Sequence, residues 1–190
     1  MYVHWNYYLA LEEDMAKIAR YVEPAEGNLS TYSIEFAHLY LATCSEIDVV
    51  LKLLCQSLSD RARPENIDGY RETISEKCPR LIHETCAIPR YDIIMAPWKP
   101  WGSGENPEWW RQHQDVKHRR SEHFADANLG NVLSALTALH IATVYYYHLR
   151  FNDGRMDDAM YTTTSRLQPE ADLLKLPREY YYQRLAAPPL

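Results

Sequence analysis

A chain of 190 residues holds one domain of ordinary size with a stretch to spare. Apolar residues make up 46 % and charged residues 24 %, a globular balance that excludes wholesale disorder. Six glycines are few against the usual ~7 %, which counts against an all-β sandwich and against a glycine-rich phosphate loop. The net charge of −6 is unevenly spread: −7 over residues 1–108, +2 over 109–151 and −1 over 152–190. The whole chain is therefore not a general polyanion binder, and only the middle segment offers a basic patch. No apolar run approaches ~20 residues, so no membrane span is expected. A basic-then-apolar leader is absent from the N-terminus, and the four cysteines have no framework spacing. Both point to a reducing, cytoplasmic setting.

In chain order, His4 to Val22 reads as a first helix stopped by Pro24. Ser30 or Thr31 is expected to cap a long second helix, roughly Tyr32 to Leu58. Its two apolar stripes, one through Ile34, Leu41 and Leu51 and one through Phe36, Ile47 and Leu54, predict a central helix packed on both sides. Asn66-Ile67 to Lys77 is a shorter helix closed by Cys78-Pro79. A stretch with Pro89, Pro97, Pro100 and Pro107 follows; it has no period and reads as a long loop held by Trp98 and Trp101. Asn106-Pro107-Glu108 is a helix start, with the helix running through Trp109 to about His118. After a break near 121–126, Asp126 is expected to cap a last long helix, whose buried face runs from Leu129 to Val144. Residues 152–190 are weakly patterned, with one short surface helix expected near 173–185. The sum is four or five helices and no convincing strand.

Chemistry concentrates in Trp109–Arg120. With Ser121–His123, this segment carries four basic residues and three histidines. Arg111 and His118 are seven apart, about two helical turns and roughly 10 Å, so both project from one side. A guanidinium that forks onto phosphate oxygens beside an imidazole that shuttles protons suits phosphate chemistry. Lys117, Arg119 and Arg120 are candidate RNA-backbone contacts, or simply a solvated face. Asp48, set in an apolar stripe, must be paired. It is expected either to reach the 111–120 helix and orient His118 or a nearby Arg, or to form an i,i+4 pair with Lys52.

Arg111-(six residues)-His118 fits the R-x(4–6)-H motif, and the chain resembles the HEPN superfamily of all-α helical bundles. The similarity covers about residues 5–150. It rests on the acidic-centred second helix (Cys44 to Lys52), the Trp109-Trp110 to His118 helix, and the helix from Ala127 to Leu139. The resemblance implies a four- to five-helix domain at 1–151 with a C-terminal extension at 152–190. It further implies a metal-independent endoribonuclease of a bacterial defence or toxin–antitoxin type, with no cofactor. In such a protein two protomers face their motifs into one cleft. Arg111 would hold phosphate and His118 would act on the ribose 2′-hydroxyl, with Asp48, Gln112 and Lys117 in support. RNA, a second copy and an antitoxin or defence partner are the implied partners. Arg120 stands where one toxin branch has a tyrosine, which argues against regulation by modification there. A rival is a catalytically silent module of the same fold that binds RNA, a nucleotide or a protein.

Other motifs are weaker. Cys78, His83 and Cys86 have no second ligand pair to complete a metal site. His113, His118 and His123 step by five, which spreads them around a helix. Tyr145, Tyr146 and Tyr147 face all around a helix end. At least one exposed ring is expected there, either at a dimer seam or at a wet core edge.

Overall fold

The computed structural model describes residues 1–60, 62–156 and 160–181. Helix α1 spans Val3–Ile18, α2 Ile34–Leu58, α3 Ile67–Lys77, α4 Glu108–His118, α5 Arg120–His123, α6 Leu129–Phe151 and α7 Met160–Arg166. The all-α expectation holds for the framework. Helices α2 and α6 form the central pair, α1 packs on both, and α3 and α4 lie against α2.

Composition explains the centre. Every residue of α6 from Ala135 to Leu149 is buried, so this helix has no solvated face. By length and composition α6 is apolar enough to cross a membrane, but 83 % of that window is buried within the fold. Helix α2 buries Phe36, Tyr40, Ile47 and Leu54 on one expected stripe and Cys44, Leu51 and Cys55 on the other, but Ile34 is exposed and Leu41 half-buried, so that other stripe meets the core over only part of its length.

The helix ends differ in detail from expectation. Ser33, not Ser30 or Thr31, caps α2 by accepting from Phe36 N at 3.1 Å. Asn128, not Asp126, caps α6 by accepting from Asn131 N at 3.0 Å. Each cap lies directly before the first helical residue, where a short side chain reaches the third free amide. Asn66 caps α3 by accepting from Gly69 N at 3.0 Å. Asn106 caps nothing: its side chain accepts from Arg71 and donates to Asp68, which ties the start of α4 to α3.

The proline-rich stretch is ordered and contains strands that the sequence reading lacked. Cys86–Ile88 (β1) and Ile93–Met95 (β2) pair antiparallel, with Cys86 opposite Met95. Asp92 turns the chain at φ 53°, a left-handed conformation that Asp tolerates. Trp98 and Trp101 are buried, as expected of the anchors. Trp98 Nε1 donates to Ala138 O at 3.2 Å and Trp109 Nε1 to Pro97 O at 3.1 Å, which pins the stretch to α6 and α4.

Residues 160–181 are no surface appendage. Leu167, Leu174 and Tyr180 join the same hydrophobic cluster as Trp5 and Tyr8 of α1. Lys175 bridges Ala87 of β1 through reciprocal backbone hydrogen bonds of 2.7 and 2.8 Å. Buried Glu12 of α1 accepts from the amides of Asp172, Leu173 and Leu174 at 2.8–3.0 Å. Within 173–181 the helical content is a single 3₁₀ turn at Arg178–Tyr180; residues 182–190 lie outside the described part. The tyrosine run also departs from expectation: Tyr145, Tyr146 and Tyr147 are all buried. Tyr145 donates to Glu84 at 2.7 Å, and Tyr147 Oη accepts from His4 N at 3.3 Å.

Candidate functional site

Helix α4 is held by one face and leaves the other in water. Trp109, Trp110, His113 and Val116 are its buried residues, at helical spacing. The opposite stripe carries Arg111, Asp115 and His118. Arg111 is exposed, with Glu108 one turn earlier at 3.7 Å. His118 is exposed at the last residue of the helix. The structure thus brings Arg111 and His118 to one solvent-facing stripe, two turns apart, as their spacing predicts.

Asp115 stands between them. It forms an ion pair with Arg119, and that hydrogen bond holds its carboxyl below the usual range. Arg119 is therefore not free for phosphate. Arg120 is exposed at the start of α5, with no ion pair among the described residues. Gln112 serves as a brace: its Oε1 accepts from Asn131 Nδ2 at 2.6 Å, which joins α4 to the first turn of α6. His123 pairs with Asp126 at 3.0 Å, away from the exposed stripe.

Asp48 takes the simpler of its two expected roles. Its Oδ2 accepts from Lys52 Nζ and its Oδ1 from Tyr70 Oη, both at 2.8 Å. Neither oxygen reaches His118, so an orienting contact to that imidazole is absent. The tyrosine partner was invisible in the sequence because it comes from α3, 22 residues away.

A cleft away from the Arg111–His118 stripe holds other candidate residues. It lies between α2 and α4, with a volume of about 460 Å³. Leu41, Ser45, Asp48 and Val49 line one wall, and Trp110, His113, Gln114 and Lys117 the other. Of the expected site residues, Asp48 and Lys117 line it; Arg111 and His118 do not. His113 and Trp110 were missed as site residues, although their place on the apolar stripe of α4 marked them as facing α2. Burial, with Lys117 and His118 nearby, pulls the His113 pKa down to about 4, so its ring is neutral at pH 7. Cys44 at the same cleft is buried, and burial pushes its thiol well up, which leaves it unreactive as a nucleophile.

Among the described residues no group of three or more His, Cys, Asp or Glu side chains converges to hold a metal ion. Cys78 and Cys86 are separate buried thiols. No family model, curated protein or solved structure matches the chain.

Proposed function

We propose that the protein is a HEPN-like endoribonuclease of a bacterial defence or toxin–antitoxin type, whose site forms when two copies bring their α4 stripes together. The supporting observation is the exposure of Arg111 and His118 on one stripe of a helix whose other face is anchored by two tryptophans. Arg111 grips the scissile phosphate. His118 takes the proton from the ribose 2′-hydroxyl as that oxygen attacks phosphorus; the 5′-oxygen leaves, protonated by the second copy's imidazole or by water. The products are a cyclic phosphate end and a 5′-hydroxyl end. Lys117 and Arg120 add positive charge beside the stripe, which strengthens backbone binding and makes it salt-sensitive.

The test is cleavage of a mixed single-stranded RNA, with analysis of the ends, by the wild type and by Arg111→Ala and His118→Ala. Loss of cleavage in both variants, with unchanged circular dichroism and unchanged dimerisation, supports the reading. Equal cleavage by all three proteins sinks it. One observation favours a second reading, a silent RNA-binding module: the Asp115 carboxylate lies between the two groups and opposes an incoming phosphate. Under that reading wild-type protein binds the RNA without cutting it.

A further inference from the structure

An exposed aromatic ring flanks the α4 stripe. Tyr32, just before α2, is 51 % exposed. Its ring meets Phe124 of the 3₁₀ turn Phe124–Asp126 edge to face, with centroids 5.5 Å apart and planes at 79°. Such a contact covers at most one face of the tyrosine. Phe124 is itself half-buried against the core, so it braces Tyr32 without enclosing it.

The backbone under both rings is anchored. Tyr32 bridges Asn128, and Thr31 O accepts from Leu129 N at 2.9 Å. Asn128 Nδ2 donates to Ala125 O at 3.1 Å, which holds the turn that carries Phe124. Helix α4 lies against the same turn. The Asn131 amide nitrogen donates both to Gln112 Oε1 at 2.6 Å and to Asp126 O at 2.7 Å. One atom thus joins the turn to the residue next to Arg111. Around the helix Gln112 sits about 100° from Arg111, with Asp115 and its partner Arg119 between them. The ring pair therefore flanks the Arg111–His118 stripe on its Asp115–Arg119 side.

Charge beside the rings is nearly balanced. Arg119 pairs with Asp115, His123 pairs with Asp126, and Glu122 shares the single turn of α5 with Arg120. A ligand held here is held by ring contact more than by ionic attraction. An unpaired nucleobase has that chemistry: it offers a bare π-face, and its backbone continues toward a cation. A base inside a duplex does not offer its face.

We infer, resting on the nuclease reading of that stripe, that Tyr32, braced by Phe124, stacks on one unpaired base of a single-stranded RNA whose phosphate lies at Arg111 and His118.

The test measures binding of a short single-stranded RNA by fluorescence anisotropy, with the full chain carrying His118→Ala so that the strand stays intact. Adding Tyr32→Ala is expected to weaken binding about tenfold, and adding Tyr32→Trp to keep it within about twofold. The salt dependence is expected to stay the same in both, since no phosphate contact is lost. In a set of strands with one abasic nucleotide each, one position is expected to weaken binding about tenfold when Tyr32 is present and less than about twofold in Tyr32→Ala. Equal binding by Tyr32→Ala overturns the inference, as does a loss that Tyr32→Trp fails to restore or an abasic set with no such position. Adding Arg111→Ala separates this failure from failure of the nuclease reading. If Arg111→Ala weakens binding and Tyr32→Ala does not, the stripe still holds RNA and only the stacking contact falls. If neither weakens it, RNA lies elsewhere and both fall.

Discussion

His113 and His118 stand five residues apart on one helix, and burial separates their chemistry. His118 meets solvent at the end of α4. His113 is desolvated and titrates near pH 4. His140 on α6 is a stronger case: fully buried against Trp5 and Tyr8, it has no partner at either ring nitrogen among the described residues, and burial with Lys175 nearby pulls its pKa down to about 3. In the unfolded chain both rings protonate near pH 6.5. Between pH 6.5 and 4 the unfolded state therefore binds more protons, so stability falls as pH drops through that window. The variant His140→Leu removes the two orphan nitrogens. In urea melts it should lose on the order of 1–3 kcal/mol less than wild type between pH 6.5 and 4. At pH 7 it should stay within about 1 kcal/mol of wild type. An unchanged pH slope would show that His140 finds partners in solution. Glu12 is the opposite kind of buried group, fully satisfied by Tyr8 and three backbone amides. Glu12→Gln replaces an all-acceptor carboxylate with a group that carries two donors of its own. It should cost about 2–4 kcal/mol and speed amide exchange at Asp172–Leu174, measured by mass spectrometry.

At the scale of elements, α4 is a helix with two assignments. Its Trp109 and Trp110 face is structural, and its Arg111–Asp115–His118 stripe is free for a partner. If that stripe meets RNA, Asp115→Asn removes a repelling carboxylate and releases Arg119. Binding to a short single-stranded RNA should tighten about threefold, and the salt dependence should steepen by roughly 0.7 in log–log slope, read by fluorescence anisotropy. No change in either would place RNA elsewhere. The same helix shows what is legible in a sequence and what is not. The placement of Arg111 and His118 on one side follows from the 3.6-residue period alone. The partners of Asp48 and of Gln112 do not, because Tyr70 and Asn131 arrive from α3 and α6 through tertiary packing. The long helices α2 and α6 are visible as sustained apolar stripes. The β1–β2 hairpin is not, since three-residue strands are too short to show an alternating pattern. The α2–α4 cleft is likewise a property of two elements together, and neither sequence segment announces it.

For the whole molecule the C-terminal segment decides where the domain ends. Residues 160–181 look like an appendage in sequence because beyond the short α7 they are irregular, and irregular chain buried on one side carries no helical period. In the fold they supply Met160, Leu167, Leu174, Leu176 and Tyr180 to the shared core. Trp5 Nε1 donates to Pro169 O at 2.9 Å, and Tyr180 donates to the buried Glu84 carboxylate, so the segment also satisfies polar groups of the body. Burying each large apolar side chain contributes roughly 1.5–3 kcal/mol, and five of them approach the 5–15 kcal/mol stability of an ordinary domain. A chain ending at Phe151 would leave Glu12 without its backbone donors and expose the apolar side of α1. Such a truncation should lose the cooperative thermal transition and bind a hydrophobic dye, even though all of α1–α6 remains. A truncation that melts cooperatively near the wild-type temperature would show that the first 151 residues fold alone and that the segment merely docks on them. The helical signal at 222 nm cannot separate the two outcomes, because collapsed chains keep their helices. Near-ultraviolet dichroism of the buried tryptophans can, since it reports fixed packing.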